Sequence, residues 1–401
     1  MNTTIRNRAT MLIVAMIVII AASTSLKASQ TGTCGGQTTT IPFDDVLPAN
    51  VFFCSIAEVY FSALTNGTTP TTYSPANDVT REQMAAFVTR TMDQSLKRGS
   101  NRAALDQYWT NQGGSSLALT SLGGGNGPRM VKSDGADLWV ASSGNATVSR
   151  VRASDGKLLD TWTSATGAHG VLVALGKVFV CGTGSPGHLY QIDPTLAAGA
   201  VTTVTNIGNA LAVAFDGQHV WTSNQGTGSV SIVTLSPLSV STVTTGFTNL
   251  TGIIYDGTNM WVTDNITGAV DKLRQLNSSG AILQSVDVGA DPEFPAFDGT
   301  NIWVPNRGSN SVSVVRATGS LAGTVLATLT GNGLNGPWTA AFDGERILVT
   351  NIDGSSVSLW KASDLTPIGT FSTGSTLTYG ACSDGLNFWI VLAGTDKLAR
   401  F

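Results

Sequence analysis

Over residues 115–401 the apolar positions fall in short runs that alternate with small polar residues, broken at close intervals by Gly, Asn, Asp and Ser. A period of two with turn residues at the breaks is the signature of half-buried β-strands. One stretch shows the grammar: Leu211 to Phe215 reads as a strand, Asp216-Gly217 as a turn, and Val220 to Ser223 as a second strand. An Asn-x-Gly turn then leads to Ser229–Val233, and a looser fourth run lies near Ser239 to Thr245.

The same unit recurs. Asp-Gly followed by an apolar residue and Trp occurs at Asp134-Gly135 with Trp139, Asp216-Gly217 with Trp221, Asp256-Gly257 with Trp261, Asp298-Gly299 with Trp303 and Asp384-Gly385 with Trp389. Two copies deviate, Leu175-Gly176 with Phe179 and Asp343-Gly344 with Leu348. The seven glycines at 135, 176, 217, 257, 299, 344 and 385 are spaced by 41, 41, 40, 42, 45 and 41 residues. A period near 40 with four short strands per unit predicts the blades of a β-propeller rather than a helical solenoid. The recurrent Trp is expected to fill the gap between neighbouring sheets. The seventh unit stops at Phe401 after its third strand, whereas Ser116–Ser121 reads as a fourth strand without a blade. The amino-terminal strand is therefore expected to complete the last blade and close a seven-bladed ring over residues 115–401, leaving no open edge.

Trp221-Thr-Ser-Asn224, Trp261-Val-Thr-Asp264, Trp303-Val-Pro-Asn306 and Leu348-Val-Thr-Asn351 resemble the propeller repeats named for their Tyr-Val-Thr-Asn motif, and more distantly the NHL-type and streptogramin-lyase-like propellers. The resemblance implies architecture. It does not imply an activity, because propellers carry many activities at one mouth of the channel.

Upstream the pattern changes from period two to helical spacing. Residues 1–28 read as a secretory signal, with Arg6 and Arg8 ahead of the apolar run Met11 to Ala22, or as an uncleaved N-terminal anchor. Cleavage is expected between Ala22 and Ser29, and export would allow Cys34 and Cys54 to pair. Cys181 and Cys382 sit in apolar strand patterns and read as buried small hydrophobes. Residues 30–98 predict a small helical module. Asn50 opens one helix with Phe52, Ile56, Val59, Tyr60, Ala63 and Leu64 on one face; Thr80 and Gln83 form a capping box for another, whose apolar face is Met84, Phe87, Val88 and Met92. Residues 99–114 read as a linker, with Tyr108 and Trp109 available to dock on the following domain.

Phe43-Asp-Asp-Val, the helix after it, Tyr73-Ser-Pro75 and Val79-Thr80-Arg81-Glu82-Gln83 resemble an S-layer homology (SLH) module. That resemblance implies a contact with anionic cell-envelope polysaccharide through Thr80, Arg81 and Glu82 and a place at the bacterial cell surface. The third position is Glu where the family has Ala, and one module is present where surface anchors commonly carry three.

Charge narrows the partners. Residues 115–401 hold 14 Lys+Arg against 19 Asp+Glu without a basic stripe, which argues against nucleic acid. Counting five residues back from each turn aligns seven channel-entrance positions: Arg129, Gly170, Leu211, Thr251, Glu293, Trp338 and Tyr379. With His169 beside them, Arg129, Glu293, Trp338 and Tyr379 form a mixed ring suited to a glycan, peptide or protein surface. Catalysis would need convergent carboxylates for a metal or an acid and base pair. The chain holds three histidines and four glutamates, so Asp291 and Glu293 are the only metal candidates, for calcium or magnesium, and no cofactor is called for. The sequence thus favours an exported, non-catalytic binding or scaffold protein. The competing expectation is a metal-dependent hydrolase or lyase acting at the channel mouth.

Overall fold

The computed structural model describes residues 29–34, 37–61, 65–88, 118–122 and 127–401. The expected signal and its cleavage point, the linker with Tyr108 and Trp109, and Ala63, Leu64 and Met92 lie outside the described residues. The chain divides into two compact units, residues 1–99 and 100–401.

In the first unit β1 (Gln30–Cys34) and β2 (Gln37–Ile41) form an antiparallel hairpin. The helical reading of this module had no place for it, although its threonine content suits strands. A disulfide joins Cys34 to Cys54, the second residue of helix α1 (Phe53–Phe61). The helix starts three residues later than the spacing suggested, because the Asn50 carboxamide accepts the Phe52 N–H at 2.8 Å and holds Asn50 to Phe52 in a turn. Phe53, Ile56 and Ala57 turn inward onto Ile41, Phe43 and Val46, whereas Phe52 is exposed. Residues 81–88 are helical and carry the expected capping box, with the Gln83 side chain accepting the Thr80 N–H at 2.9 Å and the Thr80 hydroxyl accepting the Gln83 N–H at 3.2 Å. Their predicted apolar face is not buried at Met84 or Val88, both of which are exposed; Phe87 is half-buried.

The second unit is a seven-bladed β-propeller. Seven four-stranded antiparallel sheets span residues 128–162, 168–207, 210–243, 250–287, 296–329, 337–372 and, for blade seven, 378–400. β3 (Ala118–Ser121) pairs with the third strand of blade seven, Ala118 opposite Arg400 and Ser121 opposite Lys397, so an early segment closes the ring on the last. The first strands of successive blades adjoin one another and line the channel.

The Asp-Gly-Trp unit has a physical explanation in two parts. One Asp oxygen accepts the backbone N–H groups two and three residues on, as Asp256 does from Thr258 and Asn259 at 2.7 Å each, while the following glycine takes a positive φ of 93° that side chains resist. The other oxygen accepts the indole N–H five residues on, from Trp139, Trp221, Trp261, Trp303 and Trp389 at 2.6–2.9 Å. A fully buried indole thereby keeps its hydrogen bond. In blade six, where Leu348 replaces the Trp, the Asp343 carboxylate binds the Arg346 guanidinium instead. At Asp134 burial raises the carboxyl pKa, but the Trp139 indole and backbone donors outweigh it and hold the group below its ordinary value.

The aromatics then join blade to blade. Trp139 shares a packed cluster with Val178 and Val180, the residues either side of Phe179 in the next blade. Trp261 meets Ile302 and Val304, Trp303 meets Ile347 and Val349, and Trp389 meets Leu138 and Val140 across the closing junction. Strand alternation explains the register: the aromatic faces the next blade, and its two neighbours face the previous one. Behind the motif, Asn224, Asn306 and Asn351 each donate to two serines five and seven residues on. This buried network is the structural role of the terminal Asn of the repeat.

Candidate binding site at the channel mouth

The channel is blocked partway by side chains. Met130, Leu211 and Phe294 belong to one apolar cluster with Trp338 packed against it, and the His169 ring stacks on Phe294 at 5.8 Å between centroids. Beside this plug opens a cavity of about 300 Å³.

Six of the seven aligned entrance positions line it: Arg129, Leu211, Thr251, Glu293, Trp338 and Tyr379. Gly170 does not, and its neighbour His169 takes that place. The metal candidate Asp291 also lines the cavity, so the mouth residues singled out in the sequence come together. Thr80, Arg81 and Glu82 lie in the other unit, at the start of the 81–88 helix, where Arg81 and Glu82 are exposed.

Backbone irregularity aims these side chains. In six blades the first strand slips register against the second at the mouth, as between Pro128 and Met130, Leu250 and Ile253, or Thr378 and Ala381. Such bulges redirect side chains that regular pleating would point into the sheet. Blade five departs further: its first strand shrinks to Ala296–Phe297, and Asp291 sits in the left-handed region at φ 56°. Close approach of neighbouring strands completes the arrangement. A Cβ on Gly380 would lie 2.6 Å from the Arg129 carbonyl oxygen, and one on Gly252 equally close to that of Glu293. Only glycine fits there.

Hydrogen bonds between blades occupy the mouth carbonyls. The Leu211 carbonyl accepts from His169 Nδ1 at 2.8 Å, that of Thr251 from the Ser223 hydroxyl at 2.5 Å, that of Glu293 from the Thr263 hydroxyl at 3.0 Å, and that of Tyr379 from the Thr350 hydroxyl at 2.6 Å. The His169 bond also fixes its Nδ1–H tautomer and leaves Nε2 as an acceptor.

Two arginines rest on aromatic rings: the Arg129 guanidinium lies 4.6 Å from the Tyr379 centroid and that of Arg307 5.4 Å from the Trp338 centroid. Arg307 also pairs with Asp353 at 3.2 Å. Arg129 is held only through Nε, which donates to the Ser143 hydroxyl at 3.0 Å, so its terminal N–H groups have no partner among the described residues. Two further polar atoms are buried without one, Glu293 Oε2 and Trp338 Nε1.

Burial controls the titration here. Desolvation, with the Asp291 charge adding to it and Arg307 opposing it, pushes the Glu293 carboxyl up to about 9. Burial, with Arg129 adding to it, pushes the His169 imidazole down to about 4 against the Leu211 hydrogen bond. Both are neutral at pH 7. Among the described residues no group of three or more His, Cys, Asp or Glu could hold a metal ion. Cys181 and Cys382 are free and buried, their thiols raised to about 12 by desolvation.

The sequence alignment missed Gln225, Asn249, Asn265 and Arg307, which line the same cavity from loops outside the first strands. Gln225 and Arg307 directly follow the repeated Asn, and that constant offset was the available signal.

No protein-family model matches the chain, and no curated protein matches it. Solved structures do. A streptogramin B lyase superimposes with a TM-score of 0.59 at 14% identity, over 71% of this chain and 96% of that one. Virginiamycin B lyase from Staphylococcus aureus gives a TM-score of 0.59 at 14% identity, over 71% and 98%. The WD40 propeller domain of Doa1 gives 0.58 at 12% identity, over 71% and 95%. At these identities the likeness is one of fold, shared by enzymes and by a WD40 domain alike.

Proposed function

We propose that the chain is an exported, cell-surface or secreted binding protein without a catalytic role, whose propeller takes a ligand at the channel mouth. The observation that carries this reading is the convergence of Arg129, His169, Glu293, Trp338 and Tyr379 on one cavity, in which the terminal guanidinium nitrogens of Arg129 have no partner among the described residues. An unpartnered guanidinium offers a ligand charge-assisted hydrogen bonds. A glycan and peptide array probed with the full chain tests the reading. Reproducible hits lost on Trp338→Ala are expected; an array without hits, or hits indifferent to that substitution, would overturn it.

The amino-terminal module is proposed to associate with cell-envelope polysaccharide through Thr80, Arg81 and Glu82. The exposed Arg81 in the first turn of the 81–88 helix supports this, because a guanidinium at the positive end of a helix favours an anion. Sedimentation of the full chain with isolated envelope material, no greater than for Arg81→Ala, would remove the tethering role.

A second reading is a lyase or hydrolase. What favours it is the pairing in one cavity of a carboxylic acid that stays protonated, Glu293, with a neutral imidazole, His169, the two forms that general acid and base catalysis require. The streptogramin B lyase fold adds analogy only. Incubation of array ligands with the protein would decide it: product formation abolished by Glu293→Gln makes the chain an enzyme, and unchanged ligand excludes it.

A further inference from the structure

The mouth carries side-chain donors that the protein itself leaves unused. The Arg129 fork and the free Nδ2 of Asn249, whose Oδ1 already accepts the Gly226 N–H, lack an acceptor among the described residues. Arg129 is also pre-positioned: the Tyr379 ring supports its plane, the Ser143 hydroxyl holds Nε, and the two terminal nitrogens remain as a flat fork. A planar carboxylate matches such a fork with two parallel hydrogen bonds, which tetrahedral phosphate or sulfate reproduces less well in one plane. The opposite wall is different. Asn249 and Asn265 each have one end of the carboxamide tied to the protein and the other end free, and Gln225 has no side-chain partner among the described residues. A wall alternating free donors and acceptors suits hydroxyl groups, which do both. The cavity of about 300 Å³ lies at the small end of ligand pockets, the size of a monosaccharide rather than an extended chain.

Resting on the proposed binding role of the mouth, we propose that its ligand is a carboxylated sugar residue of the uronic-acid type, its carboxylate on the Arg129 fork and its hydroxyls on the amide wall. Glu293, protonated at neutral pH, adds no negative charge against such a ligand, and the one opposing carboxylate in the lining, Asp291, is engaged through Oδ1 by the Asn265 carboxamide. Arg307 leaves less to offer, because Asp353 already neutralises it.

Calorimetric titration of the full chain with methyl glucuronide, methyl glucoside and a short oligouronide tests the assignment. The uronide is expected to bind at least 10-fold more tightly than the neutral glucoside. Arg129→Gln should abolish that preference, and Arg129→Lys, which keeps the charge but loses the fork, should retain part of it; unchanged melting of both variants shows that the fold is intact. Tighter binding of the oligouronide than the monomer would identify a polysaccharide source, and equal binding a free sugar acid, with the class upheld either way. A glucoside that binds as well as the uronide, or uronide binding unchanged in both Arg129 variants, overturns the inference. Array hits lost on Trp338→Ala without uronide binding would sink the ligand class while leaving the mouth as a binding site, whereas an array without hits removes the binding role itself.

Discussion

Replacing Glu293 by Gln isolates the least comfortable group in the propeller. The residue is 3% exposed, and its carboxyl is raised from 4.5 to about 9 by burial and by Asp291. Below pH 4.5 the group is protonated in folded and unfolded chains alike, so it imposes no pH-dependent cost. Between pH 4.5 and 9 the unfolded chain releases the proton and the folded chain keeps it, so stability falls as pH rises, by about 1.4 kcal/mol per unit. The interval from 4.5 to 7 amounts to about 3 kcal/mol, and that from 4.5 to 9 to about 6 kcal/mol, both order-of-magnitude values. Gln, similar in shape and neutral throughout, escapes this loss. Glu293→Gln is therefore expected to gain on the wild type progressively above pH 4.5, melting roughly 6 °C higher at pH 7 relative to their difference at pH 4, at roughly 2 °C per kcal/mol for a domain of this size. Differential scanning calorimetry of both proteins from pH 4 to pH 9 measures it. A difference that stays constant across the range would show that Glu293 ionises normally and that the mouth is wetter than its burial implies.

His169 has the opposite sign: with its folded pKa lowered from 6.5 to about 4, its contribution is complete above pH 6.5 and is lost by about 3 kcal/mol as pH falls to 4, a loss that His169→Gln should remove from the acid limb of the same scans. Asp256→Ala leaves the buried Trp261 indole and two turn N–H groups without an acceptor and should cost about 3 kcal/mol; in a double-mutant cycle with Trp261→Phe a coupling of about 1 kcal/mol or more is expected, and strict additivity would deny the Asp-Trp bond its weight. Removing residues 1–122 takes away β3 and exposes the third strand of blade seven, so this chain should melt lower and self-associate when compared by light scattering with one that begins at 115.

The propeller was legible because its repeat is local. Each unit carries its own turns and alternation, and even the missing outer strand of blade seven could be read from a strand left over at residues 116–121. The mouth positions could be counted for the same reason, each keeping a fixed offset from its turn. What escaped depends on geometry between residues the pattern treats separately. The bond from Asp to the Trp five residues on, the Asn-to-serine network, and the bulges that aim Arg129 and Trp338 inward become visible only when strands pair. In the small module a helical period was mistaken for burial: Met84 and Val88 share a stripe yet are exposed, and the threonine-rich hairpin of residues 30–41 carries no helical signal at all.

Crystals of the full chain grown with the strongest array ligand would show most directly whether the channel mouth is where this protein meets its partner. Ligand density among Arg129, Trp338, Tyr379 and Glu293, within hydrogen-bond reach of the Arg129 terminal nitrogens, is the expected result. The same ligand ordered elsewhere on the surface, with the Arg129 fork still unpartnered, would contradict it.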